Sequence, residues 1–280
     1  MYDKRIQWIY RCIDTIISLA RVILLSHFKK TKPIGKQHDK CVILGNGPSL
    51  LDCIDKIESS ISDYDIIAIN HIATTPLYEK YKPSIYILAD PIYWNEKLPG
   101  IIYQDNYTEN FYDVLIEKTT WDLQLYLPYK ASKVEIIRQI KKNPHINISF
   151  YNNIRFESFL RINYFFFDKQ FGLPSAGNIM CVSLILAIYS KYKNIYISGA
   201  DHDWSKYAWV DENNKVRYVQ NHGSSLPNDI GISNIRLHDS FMSFYRVFKA
   251  YDDIENYARN KNIKIFNLSK TSFIDSFEKI

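Results

Sequence analysis

Short apolar runs alternate along the chain with segments whose apolar positions recur every three or four residues. The short runs predict buried strands, and the longer periodic segments predict helices. The predicted strands are residues 41–44, 65–69, 84–89, 123–127, 146–151 and 194–198, with a last strand inside 265–272. The predicted helices are residues 51–59, 133–142, 179–191 and 241–260. This alternation favours an α/β fold, with a Rossmann-like, mostly parallel sheet and helices on both of its faces.

A helix of a different kind is predicted before the first strand. Residues 6–28 are strongly apolar, and their polar positions recur at spacings of four and three: Gln7, Arg11, Asp14, Ser18 and Arg21. This pattern gives one narrow polar stripe on a helix with a wide apolar face. The three charges make a membrane-spanning helix costly, and the lysines that follow are unlike a signal-peptide cleavage site. We expect peripheral contact with a membrane; packing on the protein's own core or in a homo-oligomer is the alternative.

These patterns divide the chain into segments. Residues 1–30 are predicted as an amphipathic, membrane-associating helix, and the polar residues 31–39 as a linker. Residues 40–280 are predicted as the main domain, with an aromatic insert at 92–172 and a small lid, the loop 205–237.

A glycine-rich turn follows the first predicted strand. It reads Gly45-Asn46-Gly47-Pro48-Ser49 and leads into a helix. Glycines let the backbone turn sharply and approach a ligand, and proline suits a first helical turn. Free amides and the positive end of the helix dipole at this place favour an anion. The turn therefore predicts a nucleotide-binding site.

Polar residues also end later strands. Asn70 follows the second predicted strand, Asp90 the third and Asp201 the sixth. Ligands of open parallel sheets bind beyond the carboxyl ends of the strands, so we expect these side chains to contact them.

Small residues open the helix predicted at 179–191. Ser175, Ala176 and Gly177 precede its first turn and permit close approach of a ligand. The amides at its N-terminus favour an anion there as well.

Composition narrows the classes of function. Apolar residues make up 46% of the chain, which excludes a wholly disordered protein. The net charge of +5 is mild and lacks the clustered stripe of a nucleic-acid-binding protein. The four cysteines have no metal-binding spacing and indicate reduced thiols in a cytosolic protein. The 22 tyrosines fit either a sugar or nucleotide cleft or the composition of an AT-rich genome.

Several of these motifs occur together in one known family. GNGPSL at 45–50, Ile69-Asn70, SAGNIMCVS at 175–183, IYISGAD at 195–201 and IFNLSKTS at 265–272 occur in one order. With Tyr207-Ala208-Trp209 between the last two, the chain resembles bacterial sialyltransferases of glycosyltransferase family 42 over residues 40–280. The wider group of GNGPSL proteins, which includes pterin diphosphokinase-like enzymes, shares the first motif.

The resemblance implies an inverting, metal-independent glycosyltransferase that moves sialic acid or a related nonulosonic acid from a CMP-sugar to a glycan acceptor. Asn46 and Asn70 would contact the donor, the turn 175–177 would hold its carboxylate or phosphate, and Tyr207 would hydrogen-bond the departing phosphate. His238 occupies the place of the general base. The products would enter surface polysaccharide or lipooligosaccharide at the cytoplasmic side of the inner membrane.

The donor pocket departs from the family at three places. His202-Asp203-Trp204 stands where the family has a second tyrosine, which makes Trp204 a candidate donor contact. Asp90 replaces an asparagine, and no basic residue precedes Ser175.

The chemistry leaves two choices open. His202 and His222 compete with His238 as the base that removes a proton from the acceptor hydroxyl. Asp201 and Asp203 form a DxD pattern, which would hold Mg²⁺ or Mn²⁺ in a metal-dependent transferase or diphosphokinase. A non-catalytic nucleotide-binding protein is the remaining alternative.

Overall fold

The computed structural model describes residues 4–94, 110–174, 177–220, 229–233 and 236–280. The described strands are β1 Lys40–Leu44, β2 Asp65–Ile69, β3 Ile85–Ile87, β4 Leu123–Pro128, β5 Ile146–Tyr151, β6 Asn194–Ser198, β7 Ala208–Val210, β8 Val216–Gln220, β9 Asp229–Ser233, β10 Lys264–Asn267 and β11 Glu278–Lys279. The described α-helices are α1 Lys4–Leu25, α2 Leu50–Asp55, α3 Pro76–Tyr81, α4 Phe111–Lys118, α5 Ile136–Ile140, α6 Leu160–Asp168, α7 Ile179–Tyr189 and α8 Leu237–Asn260.

Eight strands form one sheet in the order β11-β10-β6-β1-β2-β3-β4-β5. Every neighbouring pair in this sheet is parallel. The chain builds the sheet outward from β1 to β5 and then returns to place β6 on the other side of β1. The predicted Rossmann-like α/β fold is confirmed.

The hydrophobic pattern explains why these segments are strands and why the sheet is covered. Val42 and Ile43 point to opposite faces of β1 and are both fully buried, as expected for a central parallel strand. α7 is apolar on all sides and is buried from Met180 to Ile188. It packs against β1 and β2 on one side and against α8 on the other.

The predicted elements agree with the structure in most of the main sheet. β2, β5 and β6 have the predicted bounds, and α7 starts at the predicted residue. α8 begins at Leu237, four residues earlier than predicted, so His238 lies inside its first turn. The segment interpreted as an aromatic insert, 92–172, contributes β4 and β5 to the main sheet.

Two further segments lie outside the main sheet. β7, β8 and β9 form a small antiparallel sheet between β6 and α8, within the segment predicted as a lid. The segment predicted as a linker runs along the body, where the backbone of Ile34 donates to Ser190 Oγ at 2.8 Å. None of the described helices is both long and apolar enough to cross a membrane.

Candidate functional site

β1 and β6 are neighbours at the point where the chain changes the direction in which it adds strands to the sheet. β1 lies between β6 and β2, and the register pairs Leu44 with Ser198 at the carboxyl ends of β1 and β6. Ligands of open α/β sheets bind beyond the strand ends at such a switch point. The predicted site residues at the ends of β1, β2, β3 and β6 all lie along this edge.

The glycines after β1 pack against the glycine after β6. A Cβ added at Gly45 would lie 2.5 Å from the carbonyl oxygen of Gly199, and one at Gly47 would lie at the same distance from that oxygen. Gly199 has a φ of 58°, in the left-handed region that favours glycine. These glycines let the loop after β1 and the loop after β6 approach each other. The sequence pattern predicts instead that the glycines after β1 approach a ligand.

Asp201 joins these two loops to the C-terminal segment of the chain. Its Oδ2 accepts hydrogen bonds from the amide of Ser49 at 3.2 Å and from the Ser49 hydroxyl at 3.0 Å. Its Oδ1 accepts from Ser269 Oγ at 3.1 Å and from Thr271 Oγ1 at 3.2 Å. The carboxylate is buried, with 5% of Asp201 exposed. We call Gly45, Gly47, Gly199, Ser49 and Asp201 the β1–β6 latch.

The latch changes the interpretation of the glycine-rich turn. The amide of Gly47 donates to Gly199 O at 2.8 Å, and that of Ser49 donates to Asp201. The sequence pattern predicts free amides at this turn. These two amides are paired within the protein and are not free for a phosphate. The anion at this turn is the protein's own carboxylate.

His202 is held beside the latch by the start of α7 and by α8. Its Nε2 lies 2.7 Å from the hydroxyl of Tyr251 and 3.3 Å from Nδ2 of Asn178. Asn178 caps α7 because its Oδ1 accepts from the amide of Cys181 at 3.2 Å, which turns Nδ2 toward the imidazole. Burial lowers the pKa of His202 to about 3, and a hydrogen bond with the backbone of Ala200 partly opposes this shift. His202 is thus a neutral imidazole whose Nε2 accepts hydrogen bonds.

The polar residues that follow β1, β2 and β3 have a different character. The Oδ1 atoms of Asn46 and Asn70 are buried and accept no hydrogen bond from any described residue. Asn70 adopts a φ of 49° directly after β2. Asp90, after β3, is exposed and accepts from the amide of Ile92 at 3.0 Å. Nearby protein atoms displace water from its carboxyl and raise its pKa above the ordinary value. We call Asn46, Asn70 and Asp90 the open edge.

The start of α7 supplies a second set of backbone amides at this edge. A Cβ added at Gly177 would have no atom of a described residue within 4 Å, so the chain faces open space on that side. Ser175 and Ala176 lie outside the described residues. The amides at the start of this eleven-residue helix can interact with an anion.

Trp204, just before the segment predicted as a lid, packs on His202. The ring centroid of Trp204 is 4.2 Å from that of His202 and 6.1 Å from that of Phe244 on α8. Tyr207 is half-buried, and the Nζ of Lys206 lies 5.2 Å from its ring centroid. His222 lies outside the described residues.

His238 lies in the first turn of α8. Its side chain is 78% exposed, and its Nε2 lies 3.4 Å from Asp239 Oδ1. Tyr251, which contacts His202, is thirteen residues further along α8, a rise of about 20 Å. The described contacts therefore bring His202 and Trp204 together beside the latch, whereas His238 contacts Asp239 in the first turn of α8.

Some residues of the site were not assigned a role from the sequence. Ser269 and Thr271 belong to the motif at 265–272, but their contact with Asp201 was not predicted. The Asn178 cap is a recognisable helix-start signal, whereas its link to Tyr251 joins residues 73 positions apart. Among the described residues, no group of three or more His, Cys, Asp or Glu side chains is placed to hold a metal ion.

No family model matches the chain, and no curated protein has a significantly similar sequence. Among solved structures, the chain is similar to the MAf glycosyltransferase from Magnetospirillum magneticum AMB-1, with 12% identity and a TM-score of 0.49. The match covers 96% of this chain and 38% of that one, so this chain spans well under half of the length of that protein.

Proposed function

We propose that this protein is an inverting glycosyltransferase that uses a nucleotide-activated sugar. The finer proposal is transfer of sialic acid or a related nonulosonic acid from a CMP-sugar to a glycan acceptor. The observation that carries it is the pair of buried amide oxygens, Asn46 Oδ1 after β1 and Asn70 Oδ1 after β2, which lack partners among the described residues. A buried acceptor without a partner costs about 1–3 kcal/mol, and a ligand that donates a hydrogen bond removes that cost.

The chemistry of a cytidine nucleotide suits this edge. Ribose hydroxyls and the amino group of cytosine are donors that carboxamide oxygens can accept. The carboxylate of Asp90 can accept from a further hydroxyl. Because Asp201 occupies the first glycine turn, we place the donor phosphate at the start of α7, with the hydroxyl of Tyr207 as a further donor. Ser175, Ala176 and Gly177 line that place in the sequence, and Trp204, which packs on His202, is the further donor contact that we propose.

The proposed reaction is a single displacement at the anomeric carbon. The acceptor oxygen forms the new glycosidic bond on one face as the bond to the phosphate of CMP breaks on the other. The acceptor's proton passes to His238, which needs to contact only the acceptor and can therefore lie further from the sheet than the nucleotide. The exposed imidazole beside Asp239 suits this role.

The metal-dependent alternative draws on Asp201 and Asp203. A cation bound by Asp201 would have to displace the donors Ser49, Ser269 and Thr271 from its carboxylate. This arrangement supports a mechanism in which hydroxyls and amides, and not a metal held by Asp201, meet the single phosphate of a CMP-sugar.

The test is a thermal-shift screen of the full chain with CMP, UMP, UDP, GDP and ATP, each with Mg²⁺ or with EDTA. We expect CMP to raise Tm equally in Mg²⁺ and EDTA. Asn46→Ala and Asn70→Gly should each weaken CMP binding about tenfold, since one hydrogen bond is lost. Asn147→Ala is the matched control, because Asn147 is an exposed asparagine on β5.

Turnover separates a transferase from a binding protein. His238→Ala should keep the CMP shift and lose about 10²- to 10⁴-fold in transfer from CMP-sialic acid, the usual contribution of a general base. A shift with UDP or GDP that requires Mg²⁺ would instead support the metal-dependent alternative. Binding of CMP without any transfer that depends on His238 would contradict the catalytic proposal.

A further inference from the structure

Helix α1 packs on the protein with its polar side. Arg11 Nη1 donates to the carbonyl oxygen of Ser158 at 3.0 Å, and the hydroxyls of Thr15 and Ser158 are 2.7 Å apart. One turn further, Ser18 Oγ donates to the carbonyl oxygen of Glu157 at 3.0 Å. Ser18 is 1% exposed and Val22 is 3% exposed. These positions recur every three or four residues, so a single stripe fastens the helix lengthwise to the body.

The opposite side of α1 is aliphatic and faces outward. Its residues are between 43% and 79% exposed: Ile6, Ile9, Ile13, Ile16, Ile23 and Leu24. This is the reverse of a surface helix in a globular protein, whose apolar stripe faces the core. Contiguous exposed apolar patches of this kind mark sites of interaction.

Neighbouring side chains extend this apolar side. The ring of Trp8, itself 61% exposed, lies 6.4 Å from that of Phe159. The next residue, Leu160, is 50% exposed, and Phe28 is 64% exposed beyond the other end of α1. The outward aliphatic residues of α1 together with Trp8, Phe28 and Leu160 form what we call the α1 face.

The net positive charge of residues 4–32 favours an anionic partner. Residues 4–32 contain seven Lys or Arg and one acidic residue, Asp14, whereas the whole chain has a net charge of +5. The remaining residues are therefore close to neutral, and the net positive charge is concentrated here. Lys29, Lys30 and Lys32 are exposed directly after α1. Two copies meeting through this segment would repel each other, whereas an anionic lipid surface attracts basic residues.

We infer that the α1 face lies in the headgroup region of an anionic lipid bilayer, with α1 parallel to the membrane plane. The polar stripe keeps α1 flat on the body, so only its aliphatic side enters the lipid. This inference does not depend on the proposed reaction.

The attachment also orients the sheet. The amide of His27 donates to Asn152 Oδ1 at 2.9 Å, directly after β5, and its ring stacks on Tyr129 at 4.3 Å, directly after β4. The basic end of α1 is thus at the carboxyl edge of the sheet, the same edge that carries Asn70 and Asp90. An acceptor presented at the bilayer surface would meet the protein on this side.

The test is flotation of the full chain with vesicles of phosphatidylcholine alone and with vesicles that also contain phosphatidylglycerol. We expect binding to the anionic vesicles, at least tenfold weaker binding to the neutral ones, and release at high salt. Ile16→Glu should lower binding to the anionic vesicles at least tenfold, because it places a carboxylate in the inserted face. Ile280→Glu makes the same change at an exposed residue away from α1 and should have no effect.

Charge is tested separately from apolar contact. Replacing Lys29, Lys30 and Lys32 by Ala together should lower binding about 100-fold, since each basic residue near an anionic surface contributes roughly fivefold. The same replacement of the exposed Lys133, Lys141 and Lys142 is the control and should leave binding within about threefold. All these positions are exposed, so an unchanged Tm should accompany each variant.

Two outcomes would overturn the inference. A full chain that does not float with anionic vesicles at low salt has no such membrane face. If, in addition, the chain sediments as a dimer that Ile16→Glu converts to a monomer, then a second copy covers the α1 face.

Discussion

The β1–β6 latch and the open edge lie side by side at the same end of one sheet, and they treat their polar atoms in opposite ways. Each carboxylate oxygen of Asp201 accepts hydrogen bonds from protein donors. The amide oxygens of Asn46, within the glycine turn, and of Asn70, after β2, accept none from the described residues. Satisfied buried groups stabilise a fold, whereas unsatisfied ones cost stability and are retained where a ligand completes them. We therefore assign the latch a structural role and propose the open edge as the ligand-binding half.

The largest effect should come from removing the carboxylate at the centre of the latch. Asp201→Ala leaves the hydroxyls of Ser49, Ser269 and Thr271 and the amide of Ser49 without their acceptor. We expect a loss of about 3–5 kcal/mol in the free energy of unfolding, since a buried donor left unpaired costs about 1–3 kcal/mol. Ser269 is buried and Ser49 is partly buried, whereas Thr271 is exposed and can donate to water instead. Urea denaturation followed by circular dichroism measures it.

Asp90→Ala is the matched change on the open edge. Asp90 is exposed and accepts one backbone hydrogen bond in a local turn. We expect its effect on stability to stay within about 0.5 kcal/mol. Equal losses of stability in Asp201→Ala and Asp90→Ala would mean that the latch is no more structural than the open edge.

The next effect should come from the close approach of the two glycine loops. A Cβ at Gly47 would lie 2.2 Å from Asp201 Oδ2 and 2.5 Å from Gly199 O, and the latter is backbone that cannot rotate away. Gly47→Ala should therefore cost about 2–3 kcal/mol in stability through overpacking. Gly177→Ala meets no atom within 4 Å and should change stability by no more than about 0.5 kcal/mol.

The same pair of glycine variants also separates structure from binding. If a phosphate rests at the start of α7, Gly177→Ala should weaken CMP binding although the fold is unchanged. A destabilised Gly177→Ala together with a stable Gly47→Ala would reverse our assignment of the two loops. Denaturation curves and CMP titrations of the two variants, taken together, decide this.

The sequence predicted the sheet well and the site only in part, for a physical reason. Strand position depends on local runs of buried apolar residues, so β2, β5 and β6 have the predicted bounds. The role of Asp201 depends on partners in distant parts of the chain, Ser49 and Ser269, which local pattern does not reveal. The local pattern of the glycine turn therefore predicts an anion site. The fold shows that the carboxylate of Asp201 lies there.

A similar limit applies to the helices at the two ends of the chain. The spacing of polar residues predicted one polar stripe on α1, but not that this stripe would face the body. For α8, the apolar period predicted a helix, while its start four residues earlier placed His238 within the first turn. Which side of a helix faces inward depends on the surface it meets. For α1 that surface includes the polar segment Glu157–Ser158 as well as the apolar core that Val22 joins.

The smallest of these effects, and the most specific to the latch side, is a dependence of stability on pH. Burial lowers the pKa of His202 to about 3 in the folded protein, whereas an unfolded histidine titrates near its ordinary value of about 6.5. Below that value the unfolded chain takes up a proton that the folded chain does not, so stability falls as the pH drops from about 6.5 toward 3. The slope from this residue reaches about 1.4 kcal/mol per pH unit, or about 2 kcal/mol between pH 7.5 and pH 5.

His202→Gln isolates this contribution, because a glutamine can accept from Tyr251 but does not titrate. We expect the variant to lose about 1–2 kcal/mol at pH 7.5, where an imperfect hydrogen bond replaces the native one. Between pH 7.5 and pH 5 it should lose about 2 kcal/mol less than the native chain. His238→Gln is the control, since an exposed side chain should change stability by no more than about 0.5 kcal/mol at either pH. If His202→Gln loses as much stability on acidification as the native chain, the imidazole accepts a proton in place, and His202 becomes a candidate base in the site rather than part of its frame.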